Sequence, residues 1–242
     1  MNISKEVNNR DLFIECIGLP GAGKTTTILN IDNEVKNNFN LYIKSRGEAD
    51  LLYRSTKLSF LKNLEVFIFL VFNPNLFFAF VKSIFQLKLV KKRIGTSMLI
   101  LEAFVSLKVF KKNRRAVNKH IIDEGILQYI GSLVVPIKNG NSFIPEKLIN
   151  QSISRAVDGL IFIKTPISVS INRVKERNSG KSRFDFMEES EARRNLTIMN
   201  EVFSHCVSIA KKKNIPVLEL NAEEAINTKV LEINKWVSTF FS

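Results

Sequence analysis

Short apolar runs alternate along this chain with longer stretches of helical character. Leu12-Phe-Ile-Glu-Cys-Ile17 is hydrophobic almost without interruption, the pattern of a strand buried on both faces. The stretch from Thr25 to about Lys36 reads as a first helix, and Leu41-Tyr-Ile-Lys44 as a second strand. Ile121-Ile122 ends a third strand, Gly159-Leu-Ile-Phe-Ile-Lys164 forms a fourth and Pro216-Val-Leu-Glu-Leu220 a fifth. Pro166 suits the first turn of a helix running to about Asn178, Glu188 begins a long helix, and Glu223 to Phe241 is a closing one. Strands alternating with helices predict a parallel sheet covered on both faces.

The region from about 55 to 116 breaks this rhythm. Between Leu58 and Val90 lie eight of the 19 phenylalanines, too many for a surface loop. Val66 through Val81 carries no charge, but it is only 16 residues long and holds Asn73-Pro-Asn75 at its middle. A membrane-spanning helix needs about 20 apolar residues without such a breaker, so two helices meeting at Asn73-Pro74 are expected instead. Lys82 to Arg115 then carries ten Lys or Arg against one acid, Glu102. Two readings stand: a helical subdomain with a thick apolar core and a solvated basic face, or a basic, Phe-rich surface for anionic lipid or a lipid-linked acceptor.

Composition adds limits. At 242 residues the chain is expected to form a single domain, 1–242, carrying that insertion. A net charge of +13 favours anionic partners, yet no helix-turn-helix, zinc or aromatic-basic RNA signature is present, so nucleic acid is not expected. Cys16 and Cys206 give no disulfide framework, and the first ten residues lack the apolar core of a secretory signal. A cytoplasmic protein follows, with the inner face of a membrane left open as a docking place. His120 and His205 are isolated and read as structural.

The chemistry begins where the first strand ends. Gly18-Leu-Pro-Gly-Ala-Gly-Lys-Thr25 has the spacing G-x-x-x-x-G-K-[S/T] between a strand and a helix, the context that makes a phosphate-binding loop. Gly18, Gly21 and Gly23, with Pro20 and Ala22 between them, let main-chain N–H groups close around phosphate oxygens. The helix N-terminus at Lys24, Thr25 and Thr26 adds donors and partial positive charge. Lys24 can reach the β- and γ-phosphates, and the Thr25 hydroxyl can ligate Mg²⁺. A nucleoside triphosphate is therefore the expected ligand.

Asp123 follows an apolar strand at the carboxyl edge of the expected sheet, where a carboxylate can hold Mg²⁺ or accept a proton from an attacking hydroxyl. Glu124, next to it, is a weaker candidate for the acceptor side. Arg173 and Arg177 lie four apart on one helical face, ahead of the polar segment Asn178-Ser-Gly-Lys-Ser-Arg-Phe-Asp185. A segment of this kind, at about 178–186, can close over a triphosphate, exclude water and neutralise developing charge.

These residues resemble a family. Gly18 to Thr26 is similar to the loop of adenylate and other small-molecule P-loop kinases. Arg173-Val-Lys-Glu-Arg177 with Arg183-Phe-Asp185 resembles the lid of thymidylate kinases, and Val217-Leu-Glu-Leu-Asn-Ala-Glu-Glu224 their last strand and adenine-side loop. The resemblance spans roughly residues 10–50 and 117–240. It implies an α/β P-loop NTPase fold: a three-layer sandwich around a five-stranded parallel sheet of order 2-3-1-4-5, with a large helical insertion. It further implies ATP as donor, Lys24, Arg173, Arg177 and Arg183 on the transferring phosphoryl group, and Thr25 and Asp123 on Mg²⁺. Asn221 and Ala222 would lie near adenine.

The departures bear on the acceptor. Glu124-Gly125 follow Asp123 where thymidylate kinases carry Arg and an aromatic, and only Arg46 and Glu48 remain of their second-strand motif. Glu48 could serve as the base that nucleoside kinases place near that strand, with Arg46 beside the acceptor. The insertion replaces the usual acceptor-binding helices, so a different, larger acceptor is expected. The rival readings are a P-loop ATPase or nucleotide switch, with Glu124 polarising water, and a peripheral membrane or nucleic-acid-binding protein that uses ATP only as a regulator, the latter without a nucleic-acid signature in the sequence. A homodimer is left open.

Overall fold

The computed structural model describes residues 12–44, 74, 75, 78, 119–123, 125–134, 144–177 and 183–241. Five strands form one parallel sheet: β1 (Leu12–Gly18), β2 (Leu41–Lys44), β3 (Lys119–Ile122), β4 (Gly159–Lys164) and β5 (Val217–Asn221), in the order β2-β3-β1-β4-β5. β1 is central, and all of its residues after Leu12 are buried, as in a strand covered on both faces. Its register runs from Leu12 opposite Lys119 on β3 to Gly18 opposite Ile163 on β4.

Alternate residues of the strands feed two separate cores, as a period of two requires. On one face Ile17, Leu160 and Phe162 pack against Ile126, Leu127, Phe203 and Cys206. These come from α3 (Ile126–Val134) and α6 (Glu189–Lys212), with α4 (Glu146–Ala156) and α5 (Ile167–Arg177) completing the layer. On the other face Ile14, Cys16, Ile161 and Ile163 pack against Ile28, Ile233 and Val237. This second layer holds α1 (Lys24–Leu29), α2 (Asn33–Asn38) and α7 (Ile226–Phe241). The expected three-layer sandwich and strand order are both present.

Three local expectations need correction. The helix expected from Thr25 to Lys36 is two helices, broken at Asn30–Asp32. Asn and Asp favour helix ends over helix interiors, because their side chains compete for nearby main-chain groups. Here Asp32 precedes α2, and its carboxylate accepts from Asn234 Nδ2 on α7 at 2.6 Å. The closing helix begins at Ile226 rather than Glu223, since residues 222–225 form a turn. Finally, α3 and α4 occupy a stretch to which the pattern alone assigned no element.

In the insertion, Pro74, Asn75 and Phe78 are helical; the remainder, with the two-helix arrangement expected there, lies outside the described residues. Among the described residues no helix is long and apolar enough to cross a membrane.

Candidate functional site

Gly18 closes β1 at the carboxyl edge of the sheet, and Asp123 follows β3, the neighbouring strand. Both therefore emerge at the edge where open α/β sheets bind ligands. Between Gly18 and α1 the chain makes a tight loop. Gly21 and Gly23 have φ of 78° and 82°, a left-handed conformation that side chains disfavour. Leu19 O accepts from Ala22 N at 3.1 Å, and Gly23 O starts the helical ladder by accepting from Thr27 N at 2.9 Å. Helix α1 has no acid in its first turn, so nothing on the helix itself competes for an anion there. Lys24 Nζ arches back over the loop and donates to Gly18 O at 2.9 Å and Leu19 O at 3.3 Å.

Thr25 Oγ1 donates to Asp123 Oδ2 at 2.5 Å, joining two residues 98 positions apart in sequence. Asp123 is 1% exposed, and its other oxygen, Oδ1, is buried without a hydrogen-bond partner. A buried carboxylate oxygen left unpaired is costly unless a ligand completes it. Two hard oxygen donors meeting beside a phosphate loop fit Mg²⁺.

Helix α5 braces the loop from one side. Ser170 Oγ donates to Pro20 O at 2.6 Å, and a Cβ on Gly21 would come within 3.1 Å of Arg173 Cβ. The Arg173 guanidinium donates through Nη1 to Gly21 O at 3.3 Å and through Nη2 to Ala222 O at 3.1 Å. One side chain thus ties the phosphate loop to the turn after β5. Arg177 lies one helical turn further on and is exposed. Arg183 opens a short 3-10 turn, Arg183–Phe186, ahead of α6. Asn221 ends β5 exposed, with its Oδ1 accepting from Glu223 N at 3.1 Å. Arg46, Glu48, Glu124 and residues 178–182 of the expected lid lie outside the described residues.

Two further groups escaped the sequence reading. Glu15 faces the α3 side of the sheet, 5% exposed, and Oε1 accepts from Gln128 N at 2.9 Å. Burial pushes its carboxyl up to about 7, against the N–H groups of residues 125–128, which pull it down. Gln128 Oε1 in turn accepts from Gly18 N at 3.3 Å. Glu15 therefore caps α3 immediately after Asp123, and α3 holds the first residue of the phosphate loop. An acid within an apolar strand is the one signal that pointed to Glu15; nothing in sequence marks Gln128. The second group is Lys229 on α7, 3% exposed, whose Nζ donates to Ala222 O at 3.1 Å and Glu224 O at 2.9 Å.

A glycine loop leaving the central strand of a β2-β3-β1-β4-β5 parallel sheet, with an acid ending the adjacent strand, is the arrangement of a P-loop α/β fold. In that fold the chain is similar to the solved structure of deoxyadenosine kinase from M. mycoides with bound dATP. The TM-score is 0.51 at 15% sequence identity, and the match covers 94% of this chain and 100% of that one. No protein-family model and no curated protein matches the chain.

Proposed function

We propose that the chain is an ATP- and Mg²⁺-dependent kinase that transfers a phosphoryl group to a small-molecule acceptor. The observation that carries this reading is the Thr25–Asp123 hydrogen bond beside Lys24, with the second Asp123 oxygen buried and unpaired. Thr25 and Asp123 would hold Mg²⁺, which when bound would supply positive charge to offset that of the polyphosphate. The amides of the loop from Gly18 to Thr26 would grip the inner phosphates. Lys24, already arched across the loop, would leave its two carbonyls for the outer phosphates. Arg177 and Arg183 would close the lid segment over the triphosphate and exclude water, so that the acceptor rather than solvent receives the phosphoryl group.

A deoxynucleoside is the first acceptor to try, because the fold is that of an enzyme named for phosphorylating one. Arg46, Glu48 and Glu124 are the proposed acceptor-side groups, and a larger or lipid-linked acceptor belongs in the same screen.

The test is ATP-dependent mass gain of one phosphate across nucleosides, nucleotides, sugars and polyprenyl alcohols. One acceptor should gain the phosphate, and Lys24→Ala should abolish the gain while circular dichroism and melting stay unchanged. Full turnover by Lys24→Ala would remove the proposal. Steady phosphate release with no acceptor present would replace it with an ATPase.

A further inference from the structure

The ammonium of Lys229 occupies an unfavourable place. It is buried, it lies at the start of its own helix, where the macrodipole is positive, and it is close enough to Arg173 for the two charges to oppose each other. Burial foremost, and then Arg173, lower its pKa, while Glu224 acts in the opposite direction. Among the described residues neither Lys229 nor Arg173 makes an ion pair; their donors go to carbonyls. An apolar side chain would fill the same space without desolvating a charge.

What the two cations accomplish is geometric. A carbonyl oxygen has two lone pairs, and Ala222 O receives one donor from each cation, both at 3.1 Å. Ala222 N donates to Lys164 O at 2.8 Å, so both main-chain polar groups of this residue are engaged. Glu224 O is held by the same ammonium. The turn after β5 is thus pinned from below by Lys229 and from the phosphate-loop side by Arg173, which also grips Gly21 O. Through Arg173 the turn borders the phosphate loop, and it offers a wall beside the place where a bound triphosphate would leave the loop.

We propose that Lys229 is a positioning residue for the nucleoside end of the donor. Paired with Arg173, it holds the 222–224 turn as a rigid wall, without touching phosphate itself. This rests on the kinase reading, in which the phosphate loop binds a triphosphate and Asn221 and Ala222 border its base.

The experiment is calorimetric titration of the full chain with MgATP and, separately, with magnesium tripolyphosphate, which has no nucleoside. Lys229→Met should weaken MgATP binding by about tenfold, the equivalent of one or two lost charge-assisted hydrogen bonds, and leave tripolyphosphate binding unchanged. Lys229→Arg, which keeps the donors, should recover most of the loss. Lys229→Gln, which keeps one donor group in a neutral side chain, should fall between and serves if the methionine variant folds poorly. ATP affinity unchanged in Lys229→Met or Lys229→Gln overturns the inference, as does an equal loss for ATP and tripolyphosphate. Wild-type chain that binds neither probe overturns the donor site itself, a distinguishable result.

Discussion

Glu15 stands in the middle of a buried strand, where a carboxyl group is tolerated only because α3 points its first N–H groups at it. Its pKa is raised from 4.5 to about 7 in the native protein, so between these values the native state binds more protons than the unfolded chain. The sign is therefore fixed: this group's contribution is fully present below pH 4.5 and is lost as pH rises to about 7. Its size is on the order of 3 kcal/mol. Urea unfolding at pH 5 and at pH 7.5 should show that loss in the wild type and a clearly smaller one in Glu15→Gln. Identical pH slopes in the two proteins would mean that Glu15 titrates normally. The thiols take no part over this range, since burial pushes Cys16 up to about 12 and raises Cys206 well above its ordinary value.

At the scale of elements, close approaches decide what can change. A Cβ on Gly125, at the foot of α3, would lie 2.4 Å from Glu15 Cδ, and Glu15 is pinned by the helix it caps. Gly125→Ala should cost about 1–3 kcal/mol in chemical denaturation, and that cost should shrink when Glu15 is also alanine. Simple additivity of the two substitutions would separate Gly125 from Glu15. A second close approach joins α3 to α6, where a Cβ on Gly131 would come 2.6 Å from Phe203 Cε1. Gly131→Ala should destabilise by a similar amount, about 1–3 kcal/mol by thermal melting, because the Phe203 ring is fully enclosed. The break between α1 and α2 belongs to this scale too. Asn30 and Asp32 signal helix ends in the sequence, yet the contact that uses Asp32 comes from Asn234, 202 residues away.

For the molecule as a whole, charge and insertion raise a question that the sandwich does not answer. The net charge is +13, and ten Lys or Arg fall between Lys82 and Arg115. A membrane-facing insertion predicts binding to anionic vesicles that weakens as salt rises and disappears when those residues are neutralised. Equal partition onto neutral vesicles would argue against the electrostatic part of that reading. The candidate site lies at one edge of the sandwich. Phosphate loop, Asp123 and the turn after β5 all follow strand carboxyl ends, so their proximity is a consequence of strand order.

Contiguous features were legible before any fold was known. The loop from Gly18 to Thr25 carries its proposed phosphate-binding role in the backbone freedom and side chains of eight neighbouring residues, and the five strands announce themselves by local hydrophobicity. Convergence was not legible. That Arg173 spans Gly21 and Ala222, that Glu15 caps α3 and that Lys229 reaches Ala222 depend on crossovers bringing distant segments to one edge, and so does the meeting of Thr25 with Asp123, which only the family resemblance anticipated. Spacing along a chain encodes neighbours within a helix or strand. Contacts between elements are set by which strand lies beside which, and that is settled only when the two cores close around the sheet.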